Sequence, residues 1–409
     1  MYRRFLVLIF GVGLCTEACA ENWPMFRGPR TDGVSHESNA FPVKWSATEN
    51  IAWSTPLPGG GHSSPVIWGD RIFVTSCVDK TGERLLICLD ADGKIVWQKS
   101  VLQSKLERKH KLNSYASSTP ATDGKNIWVT FLDQPSIRVV CYDFAGNEVW
   151  RASPGKFNSP HGFCSSPVLY QNLVIVNCDQ DNQEAFIVAF DKSTGKEIWR
   201  TDRPNRTRSY CVPLIVEAAG KTQMVLTGSK CTASYDPATG KQHWIMQGPT
   251  EQFVASVVFA EDVFFITGGF PEHHILGVKP DGAGDITDTH ILWRTNKATS
   301  YVPSPVAYQG LFFIVSDEGI GSCYDPKTGK RHWSERIAKH TSASLLAAGG
   351  YIYCLDDSGT THVLRAGPKL DVVAKNELKE ECYATPAMAN GKIYIRTANR
   401  LVCVSKDKK

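Results

Sequence analysis

The stretch AFDKSTGKEIW, Ala189 to Trp199, decides the fold because its outline occurs four more times along the 409-residue chain. The copies are CLDADGKIVW (88–97), CYDFAGNEVW (141–150), SYDPATGKQHW (234–244) and CYDPKTGKRHW (323–333). In every copy a glycine (Gly93, Gly146, Gly195, Gly240, Gly329) stands four residues before a tryptophan (Trp97, Trp150, Trp199, Trp244, Trp333), and an aspartate stands seven or eight before it. The aspartate can bond backbone N–H groups two residues on, and the glycine can take the positive φ of a tight hairpin. Each copy therefore reads as strand, turn, strand. The tryptophan falls at a fixed place on the returning strand, where it can wedge between neighbouring sheets and find a partner for its indole N–H.

A second landmark marks the first strand of each unit: SSPV (63–66), STPA (118–121), SSPV (165–168), VPLI (212–215), PSPV (303–306) and ATPA (384–387), with degenerate copies ASVV (255–258) and ASLL (343–346). Eight units step by about 40 to 55 residues, the period of propeller blades built from four antiparallel strands. The fold class expected is all-β, an eight-bladed β-propeller. Asn50-Ile51-Ala52-Trp53 has a tryptophan strand with no hairpin before it, and the C-terminal run Leu401-Val402-Cys403-Val404 has no tryptophan strand after it. The N-terminal strand is therefore expected to complete the eighth blade and close the ring. The least regular units are counted as the sixth, with the enlarged hairpin VKPDGAGDITDTHILW, and the seventh, whose HVLRAGPKLDVVAKNEL lacks a tryptophan.

Residues 1–20 read as a secretory signal: Arg3 and Arg4 precede the apolar run Phe5 to Leu14, and Ala18-Cys19-Ala20 offers a small-x-small cleavage site. The apolar run of about ten residues is short of the roughly 20 that span a bilayer. Residues 21–409 then form one domain, with a Gly/Pro-rich lead-in (21–44) expected to wrap the surface. The expected location is the periplasm or cell envelope. A formal net charge of +4 gives no reason to expect nucleic acid as a partner. Cys88, Cys141, Cys323, Cys354 and Cys403 are expected at one equivalent core position of different repeats, and no CxxC pair suggests zinc or redox chemistry.

The repeats resemble the pyrroloquinoline quinone (PQQ) repeat, a family holding both quinoprotein dehydrogenases and non-catalytic relatives such as the β-barrel assembly lipoprotein BamB. The resemblance implies the eight-bladed ring. For a dehydrogenase it would also imply an adjacent cysteine pair over the cofactor, Ca²⁺ ligands of carboxylate and amide type, and a catalytic aspartate. The chain has no Cys-Cys dipeptide and no CxxCH haem site. The expectation is thus a non-catalytic binding or scaffolding module, with no catalytic or metal-ligating residue assigned, no resident cofactor, and an envelope protein or carbohydrate as partner. The alternative is a PQQ- and Ca²⁺-dependent dehydrogenase on alcohols or sugars.

Loops leading into the innermost strands of a propeller gather at one mouth of its channel. His62, His110, Tyr115, His161, Arg206, Arg208, Tyr210, Tyr301, His340 and Tyr383 lie in such loops and are the ligand-funnel candidates, suited to an anionic or sugar-like ligand. His273 and His274 are placed in a loop, and a metal site would need His62, His161 and His340 to converge.

Deleting Phe41 to Pro56 should leave the eighth blade with an open edge. The variant is expected to aggregate or melt far below the parent, and a melting point within a degree or two of the parent would refute closure by this strand.

Overall fold

The computed structural model describes residues 21–38, 40–181 and 184–406; the expected leader lies outside them. Among the described residues all helical and strand elements are strands, arranged in eight sheets. Each innermost strand begins on the last residue of its landmark, from Val66–Trp68 in blade 1 to Ala387–Ala389 in blade 8, except in blade 4, where it begins at Leu214. Blade 3 shows the plan: Val168–Tyr170, Leu173–Cys178, Phe186–Asp191 and Glu197–Asp202, each antiparallel to the next. Its two middle strands are apolar on both faces because a neighbouring blade covers each face.

The hairpin chemistry is as the repeat demands. The Asp191 carboxylate accepts the backbone N–H of Ser193 (3.0 Å) and Thr194 (2.9 Å) and both hydroxyls (2.6 and 2.9 Å). The Ser193 and Thr194 hydroxyls are the leading cause that holds this carboxyl down to about 2. Gly195 closes the turn at φ +70°, and a Cβ there would lie 2.5 Å from the ring of Trp150 in blade 2.

That contact repeats around the ring. Trp53, Trp97, Trp150, Trp199 and Trp293 each lie against the turn glycine of the next blade, Gly93, Gly146, Gly195, Gly240 and Gly329 respectively. Each indole also donates to a carbonyl in that next hairpin, at 2.9 Å (Ala91), 3.1 Å (Phe144), 2.8 Å (Lys192), 3.2 Å (Pro237) and 2.7 Å (Pro326). Trp333 reaches the Gly367 carbonyl at 3.2 Å. Opposite the ring, on the third strand, stands a small residue: Cys88 faces Trp97, Cys141 faces Trp150, Ala189 faces Trp199, Gly277 faces Trp293, Cys323 faces Trp333 and Cys403 faces Trp53.

Cys354 departs from the expected equivalence. It is buried, but on the second strand of blade 7 opposite His362, and Val363 holds the equivalent place on the third. Without the aspartate and tryptophan marks, the seventh unit carries no sequence signal that separates its second strand from its third. All eleven cysteines among the described residues are thiols.

The enlarged hairpin belongs to the fifth blade and not the sixth, since it joins His274–Val278 to Ile291–Thr295 in the sheet begun by Val258–Ala260. Its Gly284–Asp285 pairs in parallel with Trp244-Ile245, giving blade 4 a fifth strand. Trp244 consequently has no positive-φ turn glycine to lie on; the hairpin glycine beside it is Gly282, where a Cβ would stand 3.3 Å from the indole. Its indole donates to Gln223 Oε1 (2.8 Å), and the Gln223 amide donates on to the Pro280 carbonyl of the next blade (2.9 Å).

The strand Ile51–Pro56 runs antiparallel to Arg400–Val404 as the outer strand of blade 8. Blade 7, which lacks the tryptophan, is joined to blade 8 by other means. Phe41 and Trp45 are buried in the core shared by blades 7, 8 and 1, and Asn376 of the outer strand of blade 7 accepts Trp45 N–H and donates to the Val43 carbonyl (both 2.9 Å).

The lead-in is a plug rather than a surface wrap. Trp23 is fully buried and pairs with Ile67 of blade 1, the Pro24 carbonyl accepts Thr122 N–H of blade 2, and Met25 packs with Ala121, Val168 and Val212 of blades 2 to 4. Gly33 and Ser35 bond Ala347 of blade 7, and Glu37 accepts the N–H groups of Asn390 and Gly391 in blade 8. Innermost strands have a free hydrogen-bonding edge, and this segment satisfies part of it.

Gly195→Ala combines a left-handed backbone with a collision against Trp150, whereas a methyl at Gly69, where φ is +58°, would meet no atom within 4 Å. The first substitution should cost about 2–4 kcal/mol and the second about 1 kcal/mol. Urea midpoints followed by tryptophan fluorescence measure both, and equal losses would refute the wedge reading of the glycine.

Candidate functional site

At the end of the channel where the landmark loops meet is a cavity of about 520 Å³. Seven of the ten candidates line it: His62, His110, His161, Arg208, Tyr210, Tyr301 and Tyr383. Tyr115 and His340 line a neighbouring pocket that shares His62 and Tyr383, and Arg206 is exposed and lines neither. Phe26 of the lead-in is also part of the cavity lining.

The inner wall is set by a feature that the candidate residues do not include. The residue before each landmark proline, or its equivalent, carries a hydroxyl in seven of the eight units: Ser64, Thr119, Ser166, Ser256, Ser304, Ser344 and Thr385, with Val212 the exception. Six of these hydroxyls accept a backbone N–H from the preceding blade. Ser64 N–H donates to Thr119 (2.9 Å), Thr119 to Ser166 (2.9 Å), Val212 to Ser256 (3.3 Å), Ser256 to Ser304 (2.9 Å), Ser304 to Ser344 (3.1 Å) and Ser344 to Thr385 (2.9 Å). The relay stops at Val212, which has no hydroxyl, and at Ser64, whose hydroxyl has no partner. At that second break, between blades 8 and 1, the buried Arg396 donates to Ser63 Oγ (2.6 Å) and the Thr75 carbonyl (2.5 Å). The signal for the relay was the serine or threonine at one place in unit after unit.

Two loops make the side wall. His110 N–H and the Asn113 amide both donate to the His161 carbonyl (3.2 and 2.8 Å), and the two imidazoles meet edge to face at 5.4 Å. His161 Nδ1 and Ser159 Oγ both bond the Tyr210 hydroxyl, at 3.0 and 2.9 Å. Arg208 pairs with Asp181 at 2.6 Å. Burial and the Arg208 charge lower the pKa of His161, and burial pushes the Tyr301 hydroxyl up to about 12.

His62 sits between the cavity and the neighbouring pocket. Its Nδ1 faces the Leu112 carbonyl at 3.2 Å, and its ring lies 4.9 Å from that of Tyr383. Burial and the Arg396 charge bring its pKa down to about 4. His340 stands outside, its Nδ1 2.6 Å from Asp357, so His62, His161 and His340 do not line one space. His274 opens a strand of blade 5, while His273 lies edge-on to Tyr301.

An eight-bladed ring with indole wedges and a loop-lined cavity defines the class of PQQ-like propellers. The sequence model described as "Outer membrane protein assembly factor BamB" matches residues 43–109, 83–335, 282–369 and 322–408, and the chain belongs to that family. No curated protein matches it in sequence. Among solved structures, BamB from Moraxella catarrhalis aligns with a TM-score of 0.62 at 13% identity, covering 87% of this chain and 99% of that one. The quinohemoprotein alcohol dehydrogenase from Comamonas testosteroni aligns with a TM-score of 0.66 at 13% identity over 98% of this chain and 83% of that one. Likeness at this identity concerns the fold. No helix of the described residues is long and apolar enough to cross a membrane.

The folded-state pKa of His62 lies below its unfolded value of about 6.5. Between pH 6.5 and 4 the unfolded chain therefore binds a proton that the folded chain does not, and stability falls as pH falls through this window. His62→Gln should flatten the decline in urea stability between pH 6.5 and 4.5. An unchanged slope would show that His62 is not held neutral.

Proposed function

We propose that this protein is an exported, non-catalytic recognition ring of the cell envelope, whose loop face and cavity bind rather than transform their partners. The observation that carries this reading is the donor set of the cavity. No aspartate or glutamate lines it among the described residues; its polar groups are hydroxyls, imidazoles, amides, one guanidinium and the Cys164 thiol, whose pKa burial pushes up to about 12.

Bound PQQ would supply two-electron oxidation of an alcohol, with Ca²⁺ beside it. Ca²⁺ takes six to eight oxygen ligands with carboxylates prominent among them, and a general base for such chemistry needs an ionisable group with a matched pKa. The nearby Asp181 is already engaged by Arg208, and Phe26 rather than a tryptophan lines the cavity from the lead-in. The residues present do not fit the cofactor, and no catalytic step is derived through it. Membership of the BamB family, together with the leader-like residues 1–20, supports placement in the envelope and a protein partner for the loop face.

The test is a calorimetric titration of the purified protein with PQQ and Ca²⁺, followed by an artificial electron acceptor and a panel of alcohols and sugars. Neither heat of binding nor turnover is expected. Stoichiometric binding followed by turnover would overturn the reading and restore the dehydrogenase.

A further inference from the structure

The cavity carries more information than its lack of acids. Its one guanidinium, Arg208, donates from Nη1 to Asp181 Oδ2 but leaves a buried Nε without a partner. Arg396 stands behind His62, and Lys109 and Arg108 stand above in the loop that carries His110; these cations are among the charges that lower the pKa values of His62 and His161. Asp181 opposes them from beside Arg208, and Asp317 and Asp357 stand behind the wall, accepting the backbone N–H groups of Tyr301 and Val302 and of Ser342 respectively. Those carboxylates are all turned to other partners, and Arg208 is the one charged side chain in the described lining, so a ligand carboxylate is the group it would meet.

The remaining groups ask for a ligand with hydroxyls and a ring. Ser256, Ser304, Ser344 and Thr385 use an acceptor lone pair on a neighbour's N–H, which leaves each O–H hydrogen to donate. The Tyr301 side-chain hydroxyl makes no hydrogen bond to the described residues. Gln252 is 2% exposed and lines the cavity, yet its Oε1 has no partner. Turning the amide over would only exchange an orphan acceptor for an orphan donor. A buried unpaired amide atom is a standing cost, and a ligand hydroxyl would recover it. Phe26 and the half-exposed Phe270 offer apolar faces to the same space.

We propose that the cavity binds a uronate-type sugar, a pyranose bearing a carboxylate, with the carboxylate at Arg208 and the ring hydroxyls at Gln252 and the serine–threonine ring. This inference rests on the non-catalytic reading of the same cavity. A neutral sugar leaves the Arg208 Nε unanswered, and a simple carboxylate leaves Gln252 and the hydroxyls unanswered. At about 520 Å³ the space falls in the range of small-molecule sites.

The experiment titrates the full-length protein, freed of any leader by its own processing, with glucuronate, galacturonate and their dimers, beside glucose, galactose and acetate. A uronate is expected to bind at least about tenfold more tightly than its neutral counterpart and than acetate, a gap that narrows as salt is raised. Arg208→Gln should erase the preference for the acid, and Tyr301→Phe should weaken every sugar severalfold. Melting curves accompany both, and if Arg208→Gln does not fold, the salt dependence and Tyr301→Phe carry the test. Equal affinity for acid and neutral sugar, equal affinity for acetate and uronate, or no uronate binding at about 10 mM would each overturn the proposal. The cofactor titration is separate: PQQ turnover would sink the recognition reading, while silence toward uronates without PQQ turnover would sink the sugar-acid ligand alone.

Discussion

The indole of one blade and the turn glycine of the next occupy what would be a single side chain's volume, and the rest of the ring depends on that shared space. A Cβ on Gly93, Gly195 or Gly329 would lie 2.4 to 2.5 Å from the neighbouring tryptophan. The contact therefore sets how closely blades approach, and the indole N–H bond to the next hairpin sets their rotation. Two requirements meet in one residue: the hairpin needs a positive φ and the neighbour needs an absent side chain. Where a unit cannot supply both, the structure substitutes a different device. Gln223 relays the bond for Trp244, and Phe41 at the end of the lead-in, with Trp45 just after it, fills the seam beside blade 7.

The same regularity produces the site. Equal blade spacing brings eight equivalent positions to the channel wall, and a hydroxyl at seven of them turns the wall into a chain of inter-blade hydrogen bonds. Symmetry makes the wall; its exceptions make it specific. Val212 interrupts the relay beside Arg208 and Tyr210, and the unusual Arg396 replaces it between blades 8 and 1. Burying a guanidinium without an acidic partner is costly, and burial lowers the Arg396 pKa to about 9. Burial first and that cation second lower the His62 pKa, so one residue at a structural seam reaches the electrostatics of the cavity.

Fold was legible in the sequence because the repeat encodes geometry at each step: aspartate for the turn, glycine for its backbone, tryptophan for the neighbour. The site was legible only as far as topology reaches. Loops before the innermost strands do converge, which is why seven of ten candidates line one cavity. Tyr115 and His340 fall to the side because distance along a loop does not say which way a side chain turns. Cys354 was misassigned where the repeat had lost its markers. The lead-in was read as surface because Gly and Pro without periodicity look like loop, yet its backbone serves as the partner that free inner strand edges lacked. The hydroxyls recur at one place in unit after unit and Gln252 stands in the loop before its landmark, but neither position tells that the Gln252 Oε1 is left without a partner.

The first and last strands of the described chain, Ile51–Pro56 and Arg400–Val404, meet in blade 8, and Glu37 grips Asn390 across 353 residues of sequence. During synthesis, the first segments made are among the last to be seated. At about 5–20 residues per second, Trp53 waits on the order of tens of seconds for the strand it must join. The early blades stack on one another meanwhile, but the ring presents one open face at blade 1 and another at the growing end. An unpaired edge of that kind attracts other strands. The molecule's most hazardous moment is therefore the interval before its own last strand exists, and whatever guards the chain then has to cover a gap that the finished protein does not show.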